Sequence, residues 1–187
     1  MLPTKFMFMV NKHKRRGGFT SPSFIVLLLL NFYIASAQDL SKYYTSIIQN
    51  NYVLYYIAPQ KGFYHDKNIF IYDITYLSKS DSITLNFSFF NKNLLILDSI
   101  SLCINDECVT SKLQKIFIEH NKNKWQYRYS SKFSFNFIYS FFTENNNKPK
   151  IILHSGSAPI LLNINKNKWE KLSNLNNKIF SMIKANN

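Results

Sequence analysis

The chain has 187 residues, a formal net charge of +13, four glycines and two cysteines. So few glycines, two of them at positions 17 and 18, leave little room for phosphate-cradling loops, and no Gly-x-Ser-x-Gly, Walker-type or His-Glu-x-x-His pattern occurs. Nucleic-acid binding is disfavoured as well: beyond position 37 every basic residue but Arg128 is a lysine, scattered along the chain, whereas a dedicated phosphate reader favours the arginine fork.

The first element is a leader. Basic residues from Lys12 to Arg16 precede the apolar run beginning at Phe24, and Ala35-Ser36-Ala37 supplies the small-x-small pattern read by a signal peptidase. A signal peptide over residues 1–37, cleaved between Ala37 and Gln38, is predicted. A membrane anchor fits less well, because a spanning helix needs about 20 predominantly apolar residues, and Asn31, Tyr33 and Ser36 interrupt a shorter run. Cleavage would remove five basic residues and no acidic one, which lowers the charge from +13 to +8 and leaves 38–187 as a single domain.

"DLSKYYTSII", Asp39 to Ile48, is predicted to form a short N-terminal helix capped by Asp39 or Ser41. Nine short strands should follow. The clearest is Ser82 to Phe90, where Ile83, Leu85, Phe87 and Phe89 alternate with polar residues in the period of a half-buried strand. Lys124 to Ser130 and Phe133 to Phe141 alternate in the same way. The others are Tyr52 to Ala58, Asn68 to Leu77, Leu94 to Ile104, Cys108 to Ile118, Lys150 to His154 and Pro159 to Ile164. Turn signals separate them, including Pro59 to Gly62, Asn105 to Glu107 and Ser130 to Lys132. The chain closes on an amphipathic helix with Trp169, Leu172, Leu175 or Asn176, Ile179, Phe180 and Ile183 on its apolar side. Short antiparallel strands without a βαβ rhythm predict a mainly β fold, an antiparallel sandwich or a small barrel, with the sandwich preferred and the terminal helices packed on the sheet.

Cys103 and Cys108 flank a turn. An exported protein meets an oxidising compartment, and a facing pair across a hairpin suits a disulfide, so these two are predicted to be joined. The loop is short, and the bond should add at most about 2 kcal/mol. Zinc would need a second ligand pair, and His65, His120 and His154 show no ligand spacing; no metal or other cofactor is expected. His154 sits beside Ser155 in "HSGSAP", but neighbours on a strand face opposite ways. Asp73, alone in the apolar "IFIYDITYL", reads as a solvent-facing residue on a half-exposed strand rather than a catalytic acid. No catalytic residue is assigned. Trp125, Tyr127 and Tyr129 around Arg128 could form a stacking platform, although alternation is also what a core strand produces.

These features predict an exported, soluble, non-enzymatic binding module, periplasmic or extracellular. Its partner would be another envelope or extracellular protein, with an anionic glycan or membrane surface as further options. The alternative is a small outer-membrane β-barrel.

Overall fold

A computed structural model describes residues 40–105, 107–144, 149–156 and 158–186. The predicted leader and the predicted Ala37–Gln38 cleavage point lie outside the described residues. Gln38–Asn187 form one compact unit. The strands are β1 (Tyr44–Gln49), β2 (Tyr52–His65), β3 (Asn68–Leu77), β4 (Ser82–Asn91), β5 (Leu97–Ile104), β6 (Glu107–Lys112), β7 (Gln114–Asn121), β8 (Lys124–Ser134), β9 (Lys150–Ser155) and β10 (Ile160–Ile164). The helices are α1 (Phe135–Thr143), between β8 and β9, and α2 (Lys166–Ala185), after β10.

The strands pair antiparallel in the order β6-β5-β9-β10-β2-β3-β4-β8-β7, with β1 on the first half of β2. The sheet curls into a nearly closed, barrel-like wall rather than the expected sandwich. The cause lies in β2. Its 14 residues continue through Pro59 to Gly62, where a turn was predicted, and its pairing with β3 shifts register between Ile57 and Gln60 and again between Lys61 and Tyr64. Such irregularities bend a strand and increase its twist, and proline is tolerated there because no ladder donor is required of it. One bent strand therefore serves both halves of the sheet, pairing first with β1 and then with β10. Across the gap between the sheet's two ends, the Ser111 hydroxyl donates to the Lys132 carbonyl (2.8 Å) and the Ser131 hydroxyl to the Lys112 carbonyl (3.1 Å).

Two predicted elements change type. Tyr44–Gln49 is a strand, not part of an N-terminal helix. Its aromatic and β-branched residues suit a pleated surface better than a helix, and β2 offers an edge to pair with. The segment from Phe135 is helix α1 rather than strand. Ser134 is its N-cap, accepting from the Phe137 amide at 3.3 Å, and Ile138, Phe141 and Phe142 form the buried side. β8 meanwhile runs straight through the predicted Ser130–Lys132 turn.

The wall's inner face meets both helices. Phe63, Tyr72, Phe87, Leu102, Leu153 and Leu162 are fully buried there, and Trp169, Ile179, Phe180 and Ile183 of α2 join them as its periodicity implied. Of the two residues left open at the middle of α2, Asn176 is the buried one. Its Oδ1 accepts from Gln60 (3.2 Å), and Gln60 Oε1 accepts from the Tyr72 hydroxyl (3.1 Å). A single polar chain thus joins α2 to β2 and β3 inside an apolar core. Gly62 lets β10 and α2 come close to β2, since a Cβ there would stand 2.8 Å from Ile164 Cδ1 of β10 and 3.3 Å from Leu172 Cδ2 of α2.

Burial pushes the Tyr72, Tyr127 and Tyr129 phenols above the ordinary tyrosine range, with neighbouring hydrogen bonds offsetting part of the shift. Below pH 10 they are neutral in both folded and unfolded chains. Above about pH 10 an unfolded chain sheds these protons while the folded one retains them, so stability falls as pH climbs toward the folded values. A spectrophotometric alkaline titration is expected to show these phenols ionising together with loss of structure. Smooth ionisation of every tyrosine in a still-folded protein would contradict it.

Candidate functional site

The outward face of β2, β3, β4 and β8 carries a charge pair at its centre. Strand register sets it: Asp73 lies opposite Asn86, and Arg128 opposite Ser88, so the two charges meet diagonally across β4. An Arg128 Nη2 donates to Asp73 Oδ2, Nη1 donates to Ser88 Oγ (3.3 Å), and Asn86 Nδ2 donates to Asp73 Oδ1 (2.9 Å). Both carboxylate oxygens are engaged. The Asp73 side chain is only 1% exposed and that of Arg128 is 22% exposed. The expectation that Asp73 faces solvent is thus corrected: it occupies an outward position, but Arg128 and Asn86 bond it at the centre of the face and water scarcely reaches it. Nearby on β2, the Tyr56 phenol is pushed up by desolvation and by Asp73, against the opposing pull of Arg128. With both oxygens bonded and the side chain almost wholly covered, the carboxylate serves as a stitch across three strands.

The residues around Arg128 do not form a surface platform. Tyr127 and Tyr129 point inward and are buried, and Trp125 is half-buried with its ring edge-on to His120. The Tyr127 hydroxyl accepts from the Leu95 amide (2.7 Å) and donates to the Asn93 carbonyl (3.0 Å), so it anchors the chain entering β5. Arg128 alone faces out.

Cys103 and Cys108 are joined, with Cα atoms 4.1 Å apart. Ile104 pairs with Glu107, so the turn is two residues long rather than the three expected, and Asn105 opens it with a positive φ of 55°. Closing on that pair puts the cysteines at a non-hydrogen-bonded site, where strands approach most closely.

His154 does not meet Ser155; it meets Ser101 on β5. Ser101 Oγ lies 2.7 Å from His154 Nε2 and 2.6 Å from Thr110 Oγ1. A serine–histidine contact invites a nucleophile reading, yet Ser101 is buried and its hydroxyl is shared with two partners, which leaves no approach for a carbonyl. The trio ties β6, β5 and β9 side by side. Sequence reasoning missed it because the three residues come from different strands. Among the described residues no group of three or more His, Cys, Asp or Glu side chains could hold a metal ion.

What the outer face does present is apolar surface. Ile47, Leu54 and Leu77 form a cross-strand row over β1, β2 and β3, flanked on β2 by Tyr52 and Tyr56. Ile47, Tyr52, Tyr56 and Leu77 are exposed by 50%, 46%, 39% and 39%. Lys79 Nζ lies 5.7 Å over the Tyr52 ring at the margin. No protein-family model, curated protein or solved structure matches the chain.

Proposed function

We propose that this is an exported, non-enzymatic binding module that docks another envelope or extracellular protein through the apolar row on β1, β2 and β3. The observation that carries the reading is the contiguous exposure of Ile47, Tyr52, Tyr56 and Leu77, because a contiguous apolar patch with a polar rim is characteristic of an interaction surface. The cystine supports export, since such bonds persist in oxidising compartments. The leader over 1–37 with cleavage at Ala37–Gln38 belongs to the same proposal.

The membrane-barrel alternative is disfavoured by polarity. A bilayer-spanning barrel is apolar outside and polar within. Here the inner face is lined by Phe63, Tyr72, Phe87 and Leu153, while Asp73, Asn86, Ser88 and Arg128 stand on the outer one.

Affinity capture from the native host with Ile47→Asp/Leu77→Asp tests the proposal. The variant is expected to lose the protein retained by the wild type while unfolding at nearly the same temperature, because both side chains are already exposed. Undiminished capture would overturn the docking surface. A hydrolase or transferase activity that disappears with His154→Ala or Asp73→Asn would overturn the non-enzymatic reading.

A further inference from the structure

At the opposite end of the β2–β3 hairpin from the apolar row, a cleft of about 490 Å³ opens between the hairpin and the start of α2. Lys61, Lys67 and Lys168 line it, together with Tyr64, Asp66 and Ile69. All three lysines are exposed. The one carboxylate in the lining, Asp66, is outnumbered by the three lysines, so the cleft carries an excess of positive charge.

Two features make this arrangement unlike scattered surface lysines. Lys168 stands in the first turn of α2 with Lys166, and that turn holds no acidic residue. A cation at a helix N-terminus opposes the macrodipole, and although Lys166 has Glu170 at 4.0 Å, Lys168 beside Lys61 and Lys67 raises the local potential at a cost that an external anion would relieve. The cleft is also concave, with Tyr64 and Ile69 well exposed in its wall. Its volume lies in the range of small-ligand sites.

We infer that this cleft is an oxyanion site that takes the carboxylated or sulfated units of an acidic glycan. Lysine ammonium groups neutralise such groups as point charges, with three rotatable donors on a flexible stem. The Tyr64 ring offers an amphipathic surface against which a sugar face can stack. A bilayer would need charges on a flat or protruding surface, and here they surround a recess.

The site is at the other end of the hairpin from the protein-docking row and shares no residue with it, so either proposal can fail without the other. The experiment is a calorimetric titration of the full chain with a uronate oligosaccharide, a sulfated oligosaccharide, a neutral oligosaccharide and anionic vesicles. Binding of at least one acidic oligosaccharide and neglect of the neutral one are expected. The variant Lys61→Gln/Lys67→Gln/Lys168→Gln should bind at least about tenfold more weakly, while Lys112→Gln/Lys115→Gln/Lys132→Gln, three exposed lysines outside the cleft with the same charge loss, should stay within about twofold. Equal losses in the two variants would reduce the effect to net charge and overturn the site. So would absence of binding to both acidic oligosaccharides, or vesicle binding that is stronger and equally dependent on the cleft lysines.

Discussion

Replacing Arg128 with alanine should destabilise the fold by about 3–5 kcal/mol, the range for removing one partner of a buried ion pair. The effect is asymmetric because burial is. Asp73 cannot reach water, so without the guanidinium its carboxylate keeps only the Asn86 amide as a charge-stabilising donor. Arg128 is partly exposed and can turn outward when its partner is removed, so Asp73→Asn should cost less, about 1.5–3 kcal/mol, the scale of a lost hydrogen bond to a charged group. The apolar double variant Asp73→Leu/Arg128→Met should recover most of the Arg128→Ala loss, since it leaves no buried charge uncompensated. Urea unfolding of the three proteins measures all of this. Equal losses from the two single substitutions would show that the asymmetry is wrong.

Phe142→Ala is the second large effect, again about 3–5 kcal/mol, the usual cost of emptying a buried aromatic site. Phe142 is fully buried, and its ring centre lies 5.0 Å from that of Tyr72, 4.8 Å from Phe141 and 6.5 Å from both Trp169 and Phe180. It thus joins α1 to the sheet and to α2, and no one neighbour can move to fill the space. The urea midpoint should fall with little change in slope. Phe137→Ala, at a half-buried position on the same helix, should cost less than half as much. A loss below about 1 kcal/mol for Phe142→Ala would mean that the core collapses around the gap.

How much of this was legible beforehand differs by element. Ser82–Asn91 is clear because one face is buried, so its alternation has a single reading, whereas Asn68–Leu77 is apolar on both faces and alternates less cleanly. Around Phe135 the aromatic residues are so dense that both periods are satisfied, and only the cap at Ser134 and the space inside the wall select a helix. Pro59 looked like a turn because local chemistry cannot report that its neighbours will hold two irregular steps of one long strand. The cystine was readable from spacing, since both residues belong to one hairpin. The Asp73–Arg128 pair and the Ser101–His154 contact were not, because each depends on which strands become neighbours. Arg128 did leave one signal: it is the only arginine beyond residue 37, at a position facing away from the aromatic side of β8.

The bent strand β2 also sets the order in which the molecule can assemble. Its partners β1 and β3 adjoin it in the chain, but β10 reaches it by pairing Asn163 with Tyr64 and Ile164 with Phe63, joining segments far apart in the domain. Non-local pairings form late, because a long loop must close before any contact offsets the entropy lost. Pulse-labelled hydrogen exchange should find β3 and β4 protected before β10, and the reverse order would contradict this. Until β10 and α2 arrive, Phe63 lacks its cover and Trp169, Ile179 and Phe180 are missing from the interior. A chain emerging from its N-terminus, at a ribosome or through a translocation pore, would therefore stay open until β10 and α2 had emerged, and removing that strand and helix would leave an unfinished wall rather than a smaller domain.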